Sequence, residues 1–104
     1  FTTPAVLRGG TGKDTITGSS DADHIFGDAD DDEIYGGGGN DVIEAGTGAD
    51  WVDAGEGDDE VYGQEGRDTL VGRGGADRLS GGPGNDTLLG DDGDDRLEGG
   101  ADDD

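Results

Sequence analysis

The chain has 104 residues, with 25 glycines, no cysteine, no methionine and a formal charge of −22. Nothing in it approaches the roughly 20 apolar residues of a membrane-spanning helix. The missing cysteines exclude a disulfide scaffold and a thiolate–zinc module, and the acidity argues against nucleic acid, which needs a basic footprint.

Residues 1–8, FTTPAVLR, fall outside any repeat, and Pro4 breaks regular structure there. The segment reads as a linker or as the last strand of an N-terminal cap. From Gly9 the sequence divides into nines: GGTGKDTIT, GSSDADHIF, GDADDDEIY, GGGGNDVIE, AGTGADWVD, AGEGDDEVY, GQEGRDTLV, GRGGADRLS, GGPGNDTLL, GDDGDDRLE and a truncated GGADDD. The chain opens on Phe1 without a charged-then-apolar export signal, and is expected to be part of a longer protein. A hydrophobic fraction of 27% at this charge would otherwise mark a disordered chain, but a disordered linker has no reason to keep such a register.

The sixth column of every row is aspartate: Asp14, Asp23, Asp32, Asp41, Asp50, Asp59, Asp68, Asp77, Asp86, Asp95 and Asp104. The eighth is aliphatic in the ten complete rows: Ile16, Ile25, Ile34, Ile43, Val52, Val61, Leu70, Leu79, Leu88 and Leu97. All the glycines fall in columns one to four, where the backbone must turn sharply or take positive φ. Columns seven to nine carry Thr, Ile, Val, Tyr, Trp and Phe, which predicts a three-residue strand with its middle residue inward and its flanks exposed. Such a strand is stable only when stacked on copies of itself. The expected fold is all-β: a right-handed parallel β-solenoid, two short sheets back to back, with turns along both edges.

One aliphatic side chain per nonamer makes a thin core. It must offset the ordering of a glycine-rich backbone and the repulsion of carboxylates stacked at about 4.8 Å. The bare chain is therefore not expected to fold. A hard dication between the turns reverses the sign of the electrostatic contribution. Calcium takes six to eight oxygens from carboxylates and carbonyls in flexible geometry, whereas magnesium demands a tight octahedron and keeps its waters. His24 is the one histidine, so a softer metal lacks ligands.

These rows, GGTGKDTIT and GGPGNDTLL above all, resemble the nonapeptide GGxGxDxUx of the RTX (repeats-in-toxin) proteins. The resemblance covers residues 9–104. It implies a parallel β-roll with two nonapeptides per coil and calcium between the turns of successive coils. Every second row then shares an edge: Asp14, Asp32, Asp50, Asp68, Asp86 and Asp104 on one, and Asp23, Asp41, Asp59, Asp77 and Asp95 on the other. The remaining ligands implied are turn carbonyls of Gly10, Gly12, Gly37, Gly39, Gly46, Gly48, Gly55, Gly57, Gly66, Gly75, Gly82, Gly84 and Gly93. Up to nine calcium ions fit between neighbours, nearly cancelling the charge of −22. The resemblance also implies a secreted, extracellular or cell-surface bacterial protein, exported by type I secretion and folding in extracellular calcium.

Several rows depart from the pattern. Column four is aspartate at Asp21, Asp30 and Asp102, column one is alanine at Ala45 and Ala54, and column two holds Ser19, Asp28, Gln64, Arg73 and Asp91. Weaker or missing sites are expected around rows two, three, seven and eight. An EF-hand start at Asp28 fails, because Glu33 stands where its glycine belongs and Gly39 where its final glutamate belongs. Paired carboxylates such as Asp31 with Asp32 lack the cleft a glycosidase needs, and Ser19, Ser20, Ser80 and His24 form no nucleophile elbow. Column three is Thr only at Thr11 and Thr47 and column five Asn only at Asn40 and Asn85, so an ice-binding ladder is absent.

The expected function is a calcium-binding module, not an enzyme, that folds on extracellular calcium and supports secretion and stability of its parent polypeptide. The alternatives are a spacer, surface-layer or fibre segment that associates end to end or through a sheet face, and an accessory module of a secreted enzyme. Thr15, Thr17, Tyr35, Trp51, Thr69, Val71, Thr87 and Leu89 are the candidate contact face, against ordinary solvated strand residues as the plainer reading.

Overall fold

A computed structural model describes residues 6–100. The sequence-predicted positions Ala101 to Asp104, including the ligand candidate Asp104, lie outside the described residues, as do residues 1–5. The described chain forms eleven strands of three residues: β1 (Val6–Arg8), β2 (Thr15–Thr17), β3 (His24–Phe26), β4 (Glu33–Tyr35), β5 (Val42–Glu44), β6 (Trp51–Asp53), β7 (Glu60–Tyr62), β8 (Thr69–Val71), β9 (Arg78–Ser80), β10 (Thr87–Leu89) and β11 (Arg96–Glu98). Odd strands form one parallel sheet, β1-β3-β5-β7-β9-β11, and even strands a second, β2-β4-β6-β8-β10.

The nonamer period dictates this order. Two nonamers make one coil, so each residue pairs with its equivalent two rows on: Ile16 with Ile34, Ile25 with Ile43, Val52 with Leu70. The column-eight residues from Ile25 to Leu79 are fully buried between the sheets, with Ile16 at the rim. Ala45 and Ala54, which replace column-one glycine, join the same core.

Three features differ from the sequence reading. Val6–Arg8, read as lying outside the period, is a rung of the first sheet, pairing Leu7 with Ile25. Leu97, expected inward, is 48% exposed, because no described strand stacks beyond β11. Val71, expected outward in column nine, is 6% exposed. It sits between Asp53 and Leu89 in the ladder, and Arg73, two residues on, reaches back to ion-pair with Asp53 at 2.9 Å.

Candidate metal centre

Each turn is shaped by left-handed backbone at columns two and four. Gly10 and Gly12 have φ of 85° and 92°, and the same geometry recurs in rows three to ten. Side chains seldom adopt it, yet Asp28 (71°), Asp30 (73°), Gln64 (68°), Arg73 (73°) and Asp91 (64°) do so here. The turns of rows three, seven and eight thus keep the common backbone shape despite their unfavourable residues. The stacking of coils imposes it, at a cost of about 1–2 kcal/mol per residue.

Tight stacking also aims the carbonyls. A Cβ on Gly57 would collide with the Gly39 carbonyl oxygen, and one on Gly66 with that of Gly48. The carbonyls of Gly37, Gly57, Gly66, Gly75 and Gly82 point in the same way at the equivalent glycine of the next coil, Gly55, Gly75, Gly84, Gly93 and Gly100 respectively. Those of Gly10 and Gly37 also accept an N–H from column three of that coil, from Ala29 and Glu56. A carbonyl has two lone pairs, so this leaves one.

The column-six aspartates form a continuous ladder. The Asp41 N–H donates to Asp59 Oδ1 at 2.7 Å, and the Asp59 N–H to Asp77 Oδ1 at 2.9 Å. On the other edge Asp14 donates to Asp32, Asp32 to Asp50, Asp50 to Asp68 and Asp68 to Asp86, all at 2.8–2.9 Å. Asp23 donates to Asp41 and Asp77 to Asp95, each at 2.8 Å. The aspartate carbonyl meanwhile accepts from column seven of the next coil, as Asp41 does from Glu60. Column six is where the chain passes from turn to strand, and the carboxylate satisfies an amide that the sheet ladder would otherwise leave unpaired.

This arrangement uses one oxygen of each carboxylate and orphans the other. Oδ2 of Asp14, Asp32, Asp41, Asp50, Asp59, Asp68 and Asp77 is buried without a hydrogen-bond partner. It lies against column one of its own row: a Cβ on Gly36 would come 2.9 Å from Asp41 Oδ2 and strike the Ala54 carbonyl. Burial pushes Asp59 and Asp68 up to about 8, Asp50 to about 7, and Asp41 and Asp77 to about 6, with the ladder hydrogen bond opposing the rise. Asp32 is raised for the same reason. A buried carboxylate with an empty oxygen is a costly group that calls for a cation or a proton.

The profile of the family described as RTX calcium-binding nonapeptide repeat (4 copies) matches residues 8–43, 35–70 and 71–104. The chain belongs to the RTX calcium-binding nonapeptide repeat family. Comparison with curated proteins and with solved structures returns no match. Membership implies calcium, and the RTX turns fit it: their donors are hard oxygens, and the orphaned Oδ2 atoms provide lone pairs that no hydrogen bond engages. Among the described residues no three His, Asp or Glu side chains converge on one point. An ion here would have to draw on one or two carboxylates together with carbonyls.

The sequence reading missed a second set of acceptors. Column-five side chains bond the next coil: Asp31 Oδ1 accepts from Ala49 N–H, Asn40 Oδ1 from Asp58 N–H and Asp58 Oδ1 from Ala76 N–H, each at 2.8 Å. In row three, Asp28 and Asp30 accept the N–H groups of Gly10 and Gly12 at 3.2 and 2.7 Å. The signal was present as Asx residues beside column six, since short acidic and amide side chains readily capture nearby backbone N–H.

Proposed function

We propose that this chain is a calcium-folded module of a secreted bacterial protein. It stays unfolded where calcium is scarce, remains competent for type I export, and folds outside the cell to stabilise the polypeptide it belongs to. Column-six aspartates and turn carbonyls hold the ions, whose contribution is charge neutralisation and a partner for each orphaned oxygen. The observation that carries the reading is that row of buried, partnerless Oδ2 atoms.

Coupling follows from the stacking. Each ion adds RT ln(1 + [Ca]/Kd) to the folded state and joins two coils, so folding is steep in calcium. The geometry supports reading the column-six carboxylates as ligands: one oxygen is committed to a backbone amide and the other is buried against the turn. Circular dichroism against calcium, with magnesium as the control, tests the proposal. Strand signal that appears with calcium and not with equal magnesium supports it; full strand signal in chelator at neutral pH refutes it.

A structural reading, in which the solenoid itself is the product, is favoured by one observation. The last described rung leaves Leu97 exposed and Leu88 half-buried, an apolar surface of the kind that a further coil, of this chain or of a second copy, covers. Electron microscopy in calcium separates the two readings: filaments favour the structural role, monodisperse particles the module.

A further inference from the structure

The turn of row two is built unlike every other fully described turn. Columns two and four have positive φ in rows one and three to ten, but Ser19 and Asp21, which hold those columns in row two, do not. A closed set of hydrogen bonds stands in their place. The Ser19 N–H donates to Asp23 Oδ2 at 2.7 Å, and the Ser19 hydroxyl lies 3.0 Å from that oxygen and 3.2 Å from Oδ1. The Asp21 N–H donates in turn to Ser19 Oγ at 3.1 Å.

The consequence falls on one atom. Oδ2 is orphaned at Asp14, Asp32, Asp41, Asp50, Asp59, Asp68 and Asp77. At Asp23, which at 4% exposed is nearly as buried as Asp32 and Asp50, the same oxygen has two donors from its own turn. An amide N–H and a hydroxyl supply what a cation supplies elsewhere, without adding charge. Binding calcium at Asp23 would require breaking both bonds and refolding the turn into the left-handed shape that a non-glycine residue resists.

We infer that Ser19 takes the place of calcium at Asp23, so that row two closes without an ion and the edge shared by Asp23, Asp41, Asp59, Asp77 and Asp95 binds one ion fewer than its aspartates allow. The inference rests on the calcium reading proposed above. Ser19 acts here as a positioning residue. It satisfies the carboxylate, and the Asp23 N–H still donates to Asp41 Oδ1 at 2.8 Å, so the aspartate ladder continues unbroken into the ion-binding rows.

Counting bound ions by native mass spectrometry at saturating calcium tests this on the whole chain. Asp23→Asn is expected to bind as many ions as the wild type, Asp41→Asn at least one fewer, and Ser19→Gly one more, since glycine frees the carboxylate and permits positive φ. Loss of an ion by Asp23→Asn equal to that of Asp41→Asn overturns the inference, as does an unchanged count in Ser19→Gly. Should Asp23→Asn fail to fold, the Ser19→Gly count decides alone. Failure of the underlying calcium reading looks different: the wild type then binds no ions at all, and the inference falls with it.

Discussion

A middle row and the last complete row of the solenoid have nearly the same pattern, GQEGRDTLV and GDDGDDRLE, and end in different environments. Leu70 and Asp68 of the first are fully buried; Leu97 of the second is 48% exposed and Asp95 only half-buried. The residue types match, so the difference comes from the neighbours. A nonamer buries its aliphatic side chain and its carboxylate only when coils stack on both sides. The same stacking that builds the core therefore creates the electrostatic demand. The aspartates raised furthest by burial, Asp59 and Asp68, lie in the middle coils, stacked on both sides.

The largest expected effect breaks that contrast at its core. Val61→Asp places an unpaired carboxylate between the sheets and should cost more than about 4 kcal/mol, whereas Leu97→Asp should cost under about 1 kcal/mol. Denaturant melts in saturating calcium measure both. Equal losses would mean that burial by neighbouring coils does not govern stability.

Next comes the ion demand. Asp59→Asn keeps the Oδ1 acceptor for Asp41 N–H but removes the charge, so the calcium needed for half-folding should rise about tenfold, or about 1.4 kcal/mol. Asp95→Asn, at the half-buried end, should shift it much less. Calcium titrations followed by circular dichroism compare the two.

Acid should substitute for calcium. Burial raises Asp41, Asp50, Asp59, Asp68 and Asp77 to about 6–8, from the 3.8 of an ordinary aspartate. A folded-state pKa above the unfolded one means that the protonated form is favoured in the fold. The contribution is fully present below the unfolded value and lost as pH rises through the folded values. In chelator, strand signal should grow as pH falls from 8 to 5. With calcium the sign reverses, because protons compete with the ion for Oδ2, and the calcium midpoint should rise on acidification. A chelated sample equally unfolded at both pH values would contradict this.

The smallest effect concerns the outer face. Arg73→Ala removes an exposed ion pair with Asp53 and should leave the melting midpoint almost unchanged, within the range of surface pairs. A large loss would show that the Arg73 side chain is what covers Val71.

The strands, their pairing and their inward residues were legible in the sequence because a period of nine repeated ten times admits one stacking register. The family was legible for the same reason. Interactions that run between coils were less visible. Nothing in a single row says that an aspartate side chain will accept the backbone N–H of the aspartate two rows earlier, and the Asx residues Asp31, Asn40 and Asp58 signal capture of a backbone N–H without saying that it comes from column five two rows later. Substitutions of column-two glycine also differ in ways a single row does not show. At Gln64 and Arg73 the coils on either side hold the side chain at the common positive φ. At Ser19 the hydroxyl and amide reshape the turn around Asp23. That β1 continues the first sheet as a rung, rather than forming a linker or the last strand of a cap, was not legible because it has no column-six aspartate before it: Ala5 occupies that position.

The central claim is that the orphaned Oδ2 atoms of the middle coils are calcium ligands. A crystal structure grown in calcium, with anomalous density measured at Asp41, Asp50, Asp59 and Asp68, tests it most directly. The account predicts an ion in contact with each of those oxygens. An intact solenoid grown at neutral pH in chelator, with those oxygens empty and ionised, would contradict it.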